Sequence, residues 1–403
     1  MRHTLMAAFV LAVCGTAQAQ NITLFGQEYS ITRLDYAQVL LPNIPFPMDP
    51  PVPFTESEGI IWVGNNKVLM SADDIDDVGF GMPENWIIEV EFALSPAGDI
   101  TGFAGFRPIV VQAISTTGYD LNPSGITVNP GAGHGGGGNV LALQGDGLLY
   151  GFSYQAGSEG TQLEFPTGSG CLATPATCAM IFSGRNTNAE DVAYVSVRGG
   201  EFFVTNQDIT GVERWNAVTG DFLGSFPVGP AGSTAKGIAY TPDSAFLPAS
   251  IRRPDGVVFV AFDDDFPALQ AVDVDGNVLG TELLTVDGTP GGVSRLDVTG
   301  CPSTLSLESL TVDPATGRLF LSNQGSLTLC NYIFVLTPVF GTPCEPDFNQ
   351  DGNVDQDDIA CLAQVVAGDA SCSAIDPDFN RDGNVDQDDI AALEQVVGGQ
   401  PCP

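Results

Sequence analysis

The chain has 403 residues, of which 13 are basic and 49 are acidic, so its formal net charge is −36. This length accommodates more than one domain. So negative a chain repels nucleic acid and anionic lipid surfaces, which excludes both as partners.

Residues 1–19 have the pattern of a secretory signal peptide. Arg2 and His3 give a basic start, Leu5 to Val13 form an apolar stretch, and Ala17-Gln18-Ala19 is a cleavage site of small residues. The apolar stretch is shorter than the roughly 20 residues that span a bilayer. We therefore expect a secreted, extracellular protein that begins near Gln20 and has no membrane span.

The cysteines agree with export. Nine are present, and eight remain once Cys14 leaves with the signal peptide. An even number of cysteines in an exported chain predicts disulfides, although eight cysteines allow about 105 connectivities. Proximity in sequence favours the pairs Cys171–Cys178 and Cys301–Cys330. For the last four cysteines we expect Cys361–Cys372, with Cys344–Cys402 joining the two ends of the tail.

Residues 20–340 form a body whose pattern is all-β. The region is rich in Gly, Pro, Val and Phe, and turn dipeptides interrupt its short apolar runs. Five segments share one pattern, in which a polar residue and a small or polar residue precede two apolar residues at alternating positions. These segments begin at Glu58, Ser124, Glu190, Lys236 and Glu308.

Each segment start is followed by a second apolar strand, at Val68–Met70, Leu148–Tyr150, Phe202–Val204, Val257–Val260 and Leu319–Leu321. Groups of short strands that recur along a chain in this way are typical of propeller blades. We expect a five- or six-bladed β-propeller, with a sixth blade assembled from residues 22–37 and the end of the body. A pair of sheets in a β-sandwich is the alternative.

The segment from Glu308 to Phe320 reads E-S-L-T-V-D-P-A-T-G-R-L-F and resembles the broad set of six-bladed propellers that includes phytase-like and lactonase-like proteins. In phytase-like propellers, acidic residues on the channel face bind calcium and substrate phosphate. The resemblance implies a third calcium ion here, in addition to those predicted for the tail below.

Ser–His and Cys–His catalysis are excluded by the sequence. After removal of the signal peptide only His134 remains, in a glycine-rich loop, and no G-x-S-x-G nucleophile motif accompanies it. Carboxylate chemistry stays open, because aligned segment starts place Glu58, Glu190 and Glu308 at one end of a propeller channel. There they could hold calcium or act as acid and base, or only solvate the channel. We expect the run from Asp73 to Asp77 to be a solvated loop.

The tail, residues 344–403, carries 14 acidic residues and one basic residue. It contains the loop D-F-N-Q-D-G-N-V-D-Q-D-D at 347–358 and a copy at 378–389 that differs at one position. The spacing matches a calcium loop, with oxygen ligands at positions 1, 3, 5, 7, 9 and 12 and glycine at position 6. The predicted ligands of two Ca²⁺ ions are Asp347, Asn349, Asp351, Asn353, Asp355 and Asp358 in the first loop, and Asp378, Asn380, Asp382, Asn384, Asp386 and Asp389 in the second.

Each loop leads into a short predicted helix. Ile359, Leu362 and Val366 recur at helical spacing after the first loop, and the second repeat has the same pattern. Helices of about ten residues are marginal alone, so we expect the two apolar stripes to pack together. The segment before Asp347 contains two prolines and cannot supply the preceding helix of an EF-hand.

These features resemble the dockerin family over the whole tail, which we assign to residues 341–403. The resemblance implies binding to a cohesin-like domain on a scaffold or cell surface, with loop positions 10 and 11 contacting the partner. Here these positions are Gln356-Asp357 and Gln387-Asp388. Identical pairs in both repeats imply two binding orientations related by a half-turn.

We therefore expect a secreted protein displayed through a calcium-dependent tail, monomeric apart from that docking. Its body is of binding or unknown function. The alternative is an extracellular calcium-dependent hydrolase, acting on a phosphoester, lactone or polysaccharide and anchored by the same tail.

Overall fold

The computed structural model describes residues 20–36, 57–72, 86–96, 98–111, 123–128, 139–144, 148–152, 154, 180–181, 188–209, 211–230, 233–263, 267–285, 292–299, 305–324, 331–339, 346–369, 371–373, 377–380 and 385–400. The predicted signal peptide, the loop around His134 and the run from Asp73 to Asp77 lie outside these residues. No helix in the described part is long and apolar enough to cross a membrane.

Within the described residues the body consists of β-strands and the tail contributes two helices. In chain order they are β1 (Gln20–Leu24), β2 (Gln27–Asp35), β3 (Gly59–Gly64), β4 (Lys67–Ala72), β5 (Trp86–Leu94), β6 (Ile100–Val111), β7 (Pro123–Val128), β8 (Val140–Gln144), β9 (Leu148–Phe152), β10 (Met180–Ile181), β11 (Ala189–Val195), β12 (Glu201–Asn206), β13 (Gly211–Asn216), β14 (Phe222–Pro227), β15 (Ala235–Thr241), β16 (Val257–Phe262), β17 (Ala268–Val272), β18 (Val278–Leu283), β19 (Leu307–Asp313), β20 (Arg318–Asn323), β21 (Tyr332–Pro338), α1 (Gln356–Val366) and α2 (Gln387–Val397).

The strands are arranged as a β-propeller. Four blades are four-stranded antiparallel sheets made of consecutive strands: β3–β6, β7–β10, β11–β14 and β15–β18. A fifth sheet of five strands, in the order β1-β2-β21-β20-β19, joins the two ends of the body; we call it the closing sheet. Each sheet contributes one edge strand to a ring around a central channel, in which β3, β7, β11, β15 and β19 pack against one another. We call these the inner strands.

Composition explains the strands. All six residues of β16, V-V-F-V-A-F, are buried, as expected for a strand with neighbouring blades on both faces. The hairpin between β3 and β4 turns at Asn65 and Asn66, which have φ of 52° and 59°. Positive φ at both central residues is the signature of the type I′ turn that connects adjacent antiparallel strands.

The ring closes through the N-terminal strands. β2 pairs with β21 over seven residues, from Tyr29 opposite Pro338 to Asp35 opposite Tyr332. The predicted pairing of residues 22–37 with the end of the body is therefore present. Among the described residues this pairing extends the closing sheet, and it does not build a separate sixth sheet. The sandwich alternative is wrong, because the sheets follow one another around a ring.

One predicted strand order is also wrong. Leu148–Tyr150 was expected as the second strand after Ser124, but β8 lies between β7 and β9. The apolar run V-L-A-L at residues 140–143 is the missing strand.

The tail forms its own apolar core. Ile359 and Leu362 of α1 pack with Ile390 and Leu393 of α2, which confirms the predicted contact between the two helical stripes. Phe348 and Phe379, at position 2 of each loop, join this core. The disulfide Cys361–Cys372 is present as predicted, while the other predicted pairs involve residues outside the described ones.

Candidate functional site

The inner strands bring the predicted glutamates together at one end of the channel. One carboxylate oxygen each from Glu58, Glu190 and Glu308 lies within 4.8 Å of the others. The ammonium of Lys236 lies between two of them, 3.0 Å from Glu190 and 3.3 Å from Glu308. We call these four residues the channel cluster. Ser124 holds the equivalent position on the remaining inner strand, β7, and is also buried.

Burial strengthens the electrostatics of the cluster. Glu190 is 8% exposed and Glu308 is 4% exposed, and the Ser306 hydroxyl donates a 2.8 Å hydrogen bond to Glu308. Burial raises the pKa of Glu190 above its usual range, although Lys236 opposes the shift. For Lys236, burial lowers the pKa, but attraction to the glutamates outweighs burial and raises it overall. Three carboxylates and one ammonium leave two excess negative charges, which two protons or a divalent cation would neutralise.

One residue further along the strands, a single carboxylate links several inner strands. Asp191 accepts hydrogen bonds from the backbone N–H of Val192 (2.8 Å) and of Ile238 (3.0 Å), and from the Ser309 hydroxyl (2.8 Å). The amide of Ile126 is a further donor. Complete burial raises the pKa of Asp191 well above its usual range, although these donors oppose the shift.

Glycines make room for this carboxylate. Gly59, Gly125 and Gly237 occupy the position of Asp191 on three of the other inner strands. A Cβ on Gly237 would lie 2.6 Å from the Cα of Ser309, and one on Gly125 would lie 2.7 Å from the Cα of Asp191. Such contacts are far below van der Waals distance, so the close approach of the inner strands requires glycine here.

The opposite end of the channel contains a cavity of about 620 Å³. Trp62, Tyr194 and Tyr240 contribute aromatic side chains to its lining. Trp62 stacks on Phe320, with ring centroids 5.1 Å apart. Five apolar residues of the inner strands are buried and border the cavity: Ile60, Ile126, Val192, Ile238 and Leu310.

Sequence reasoning missed both Asp191 and the cavity. One signal was available, since Asp191 stands where three of the five aligned segments carry glycine. An acidic residue at a position where most of the segments carry glycine indicates that its side chain occupies the space that the glycines leave open.

In the tail, the two loops have the same local geometry at position 12. Asp358 is fully buried and accepts from the amides of Asn349 (3.0 Å) and Asp355 (2.8 Å). Asp389 is likewise fully buried, and it makes the equivalent contacts with Asn380 and Asp386 at the same distances.

Other carboxylates of the first loop accept hydrogen bonds from backbone amides of the same loop. Asp347 accepts from the amides of Asp351 (2.9 Å) and Gly352 (2.8 Å), and Asp351 accepts from the amide of Asn353 (2.9 Å). Gly352, at position 6, has a φ of 91°, the left-handed conformation that this turn requires. The candidate metal ligands of this loop are all oxygen atoms, so the residues present fit a hard cation such as Ca²⁺. In the second loop, Asp378 is described, while Asp382 and Asn384 lie outside the described residues.

The predicted partner-binding residues lie on the surface. Gln356 and Asp357 are exposed at the start of α1, and Gln387 and Asp388 are exposed at the start of α2. The capping aspartates Asp355 and Asp386 precede them.

Comparison with known proteins leaves the family open. No protein-family model matches the chain, and no curated protein sequence matches it. Among solved structures, the glutaminyl cyclase of Myxococcus xanthus has a TM-score of 0.38 and 13% identity, covering 76% of this chain and 98% of that one. An auxiliary nutrient binding protein from Bacteroides thetaiotaomicron has a TM-score of 0.34 and 10% identity, covering 67% and 56% respectively. These similarities are too low to carry a functional argument.

Proposed function

We propose that this protein is exported and is held on a scaffold or cell surface by its tail, residues 341–403, which acts as a calcium-dependent docking module of dockerin type. The observation that carries the proposal is the duplicated loop. Both copies have an all-oxygen donor set, a buried position-12 aspartate with matching contacts, and a following helix that packs against the other repeat.

Calcium supplies the positive charge that lets several carboxylates converge on one point. The side chains of Asp347, Asn349, Asp351, Asp355 and Asp358 and the carbonyl of Asn353 would hold the first ion. The corresponding residues of 378–389 would hold the second. Filling both loops fixes the starts of α1 and α2 and thereby orients the exposed pairs at positions 10 and 11 toward a cohesin-like partner.

The test is calcium titration of the full chain by calorimetry, with circular dichroism as a second readout. We expect two sites and a gain of helix. Asp347→Ala should remove one site. The matched control is Asp357→Ala, which is an exposed residue of the same loop outside the ligand set; it should keep both sites but weaken capture by a panel of cohesin domains. Absence of calcium binding by the wild-type chain would refute the docking function.

We count the closing sheet as a fifth blade of the body. A second function for this body is carboxylate-dependent hydrolysis, and the channel cluster favours it. Glu58, Glu190 and Glu308 lie within 4.8 Å of one another, slightly closer than the about 5–5.5 Å between the carboxyl groups of retaining glycosidases. Lys236 holds two of these carboxylates in ion pairs, which a hydrolase would have to release.

A hydrolase panel of phosphoesters, lactones and polysaccharides, run with and without chelator, tests this second function. Glu58→Gln should abolish any activity found, whereas Glu91→Gln, on an outer strand, should leave the activity unchanged. Activity that persists in Glu58→Gln would remove the cluster from the mechanism.

A further inference from the structure

The inner strands turn backbone N–H groups toward the channel, and side chains of the neighbouring inner strand accept from them. The amide of Ile60 donates to the Ser309 hydroxyl at 3.0 Å. Two residues further along the strands, the amide of Trp62 donates to the Thr311 hydroxyl at 2.9 Å. The amide of Tyr194 donates in the same way to Thr127, also at 2.9 Å.

These contacts follow one rule. The accepting side chain lies on the preceding inner strand of the ring, one position earlier along the aligned segments. The positions equivalent to Thr127 and Thr311 on the other three inner strands are Ile61, Ala193 and Ala239, which have no side-chain oxygen.

The amides that these three positions would serve belong to Val128, Tyr240 and Val312. Alternate residues of a strand turn their amides to the same side. The amides of Ile126 and Ile238 point into the channel toward Asp191, so those of Val128 and Tyr240, two residues further on, point the same way. All three residues line the cavity described above.

The level of Asp191, one layer below the cavity, shows which kind of group accepts from such a ring of backbone amides. There a carboxylate, that of Asp191, accepts from the amides of Val192 and Ile238 and from the Ser309 hydroxyl. At the cavity, the equivalent space is open. A volume of about 620 Å³ lies within the roughly 300–1,000 Å³ of small-molecule sites, and aromatic side chains line it.

The negative charge of the channel cluster does not prevent an anion from binding here. Four residues of strand separate the level of Glu190 from that of Tyr194, which corresponds to about 13 Å at 3.3 Å per residue. At that distance and an effective dielectric constant of about 20, each net negative charge of the cluster weakens anion binding by about tenfold, and Lys236 offsets one of the three charges.

We propose that this cavity binds a small organic molecule through a carboxylate, which accepts from the amides of Val128, Tyr240 and Val312 as Asp191 does one layer below. The apolar part of the ligand lies against Trp62 and Tyr194. The site is separate from the tail, so it stands or falls independently of the docking function.

The test is calorimetric titration of the full chain with sodium benzoate, which combines a carboxylate with an aromatic ring. We expect binding in the millimolar range or tighter, and much weaker binding of benzyl alcohol, which has the ring without the carboxylate. Ala193→Thr introduces a hydroxyl that accepts from the amide of Tyr240, as Thr127 does from Tyr194. It should weaken benzoate binding about tenfold or more, because one hydrogen bond to a charged acceptor is lost.

Ala193→Val is the matched control, since valine has the shape of threonine without the hydroxyl. It should keep benzoate affinity within about threefold of wild type. Three outcomes would overturn the proposal: no binding of benzoate to the wild-type chain, equal affinity for benzyl alcohol, or equal loss of affinity in the valine and threonine variants.

Discussion

Replacing Lys236 with methionine removes the ammonium that lies between Glu190 and Glu308 while keeping most of the side-chain volume. In the wild-type chain this ammonium is 3.0 Å and 3.3 Å from the two carboxylates. At an effective dielectric constant of 20, each contact corresponds to an attraction of about 5 kcal/mol. The variant loses both attractions and keeps the repulsion among three carboxylates within 4.8 Å of one another.

Proton uptake by one of the three glutamates limits the loss of stability in the variant. A carboxyl group with an ordinary pKa of about 4.3 takes up a proton at pH 7 for roughly 3.7 kcal/mol. Removal of one partner from a buried ion pair costs about 3–5 kcal/mol in general. We therefore expect Lys236→Met to lower the free energy of unfolding by about 4 kcal/mol at pH 7.

The stability lost in Lys236→Met depends on pH. In the variant the folded state holds a glutamate whose pKa is raised above the unfolded value. Its contribution to the free energy of unfolding is largest below the unfolded pKa, and it is lost as the pH rises through the folded pKa. The deficit relative to wild type should therefore shrink as the pH falls from 7 to about 4.5, close to the unfolded pKa. The raised pKa of Lys236 in the wild type has no effect in this range, because its stabilisation is lost only above the ordinary lysine pKa of 10.5.

Urea denaturation at pH 7 and pH 4.5 measures both quantities. Glu190→Gln in the Lys236→Met background is the matched control, because it removes one of the repelling charges and should recover part of the lost stability. If Lys236→Met were as stable as wild type at pH 7, or if its deficit were the same at both pH values, the electrostatic account of the cluster would be wrong.

Two further substitutions test the rest of the body. Gly237→Ala places a Cβ 2.6 Å from the Cα of Ser309 and should lower the free energy of unfolding by about 3 kcal/mol in chemical denaturation. Gly102→Ala is the control, because the space around Gly102 is open, and it should lower the free energy of unfolding little. Equal effects of the two substitutions would contradict the close approach of the strands. Burial raises the pKa of Glu89, but hydrogen bonds from Arg107 and other donors outweigh burial and lower the pKa overall. Glu89 therefore stabilises the folded state at pH values above its ordinary pKa, and this stabilisation is lost as the pH falls. Glu89→Gln should lower stability at pH 7 and flatten its acid-side decline, and an unchanged pH profile would argue against this.

The sequence was most informative where a local pattern repeats. Polar residues at the start of five similar segments predicted that Glu58, Glu190 and Glu308 would meet, because equivalent positions of inner strands lie at one level of a propeller channel. The structure brings them together. The duplicated loops likewise predicted both tail helices and the contact between their apolar stripes.

The remaining features depend on contacts between distant parts of the chain. Asp191 can reach the amide of Ile238 and the hydroxyl of Ser309 only because other strands carry glycine at the same level. The aligned segments mark the position of Asp191, but they do not show which donors its carboxylate reaches across the channel. The strand β8 was missed because it follows a long glycine-rich segment, which concealed the spacing of its blade. The pairing of residues 22–37 with the end of the body was predicted and is present, but among the described residues it extends the closing sheet and builds no separate sheet.

The position of β21 bears on how the body withstands mechanical load. If the tail is anchored, a pull on it enters the body at Pro338, the last residue of β21. This strand is not at an edge, because β2 flanks it on one side and β20 on the other. Extracting it requires the rupture of two hydrogen-bonded ladders, so the tether is attached at a point that resists peeling.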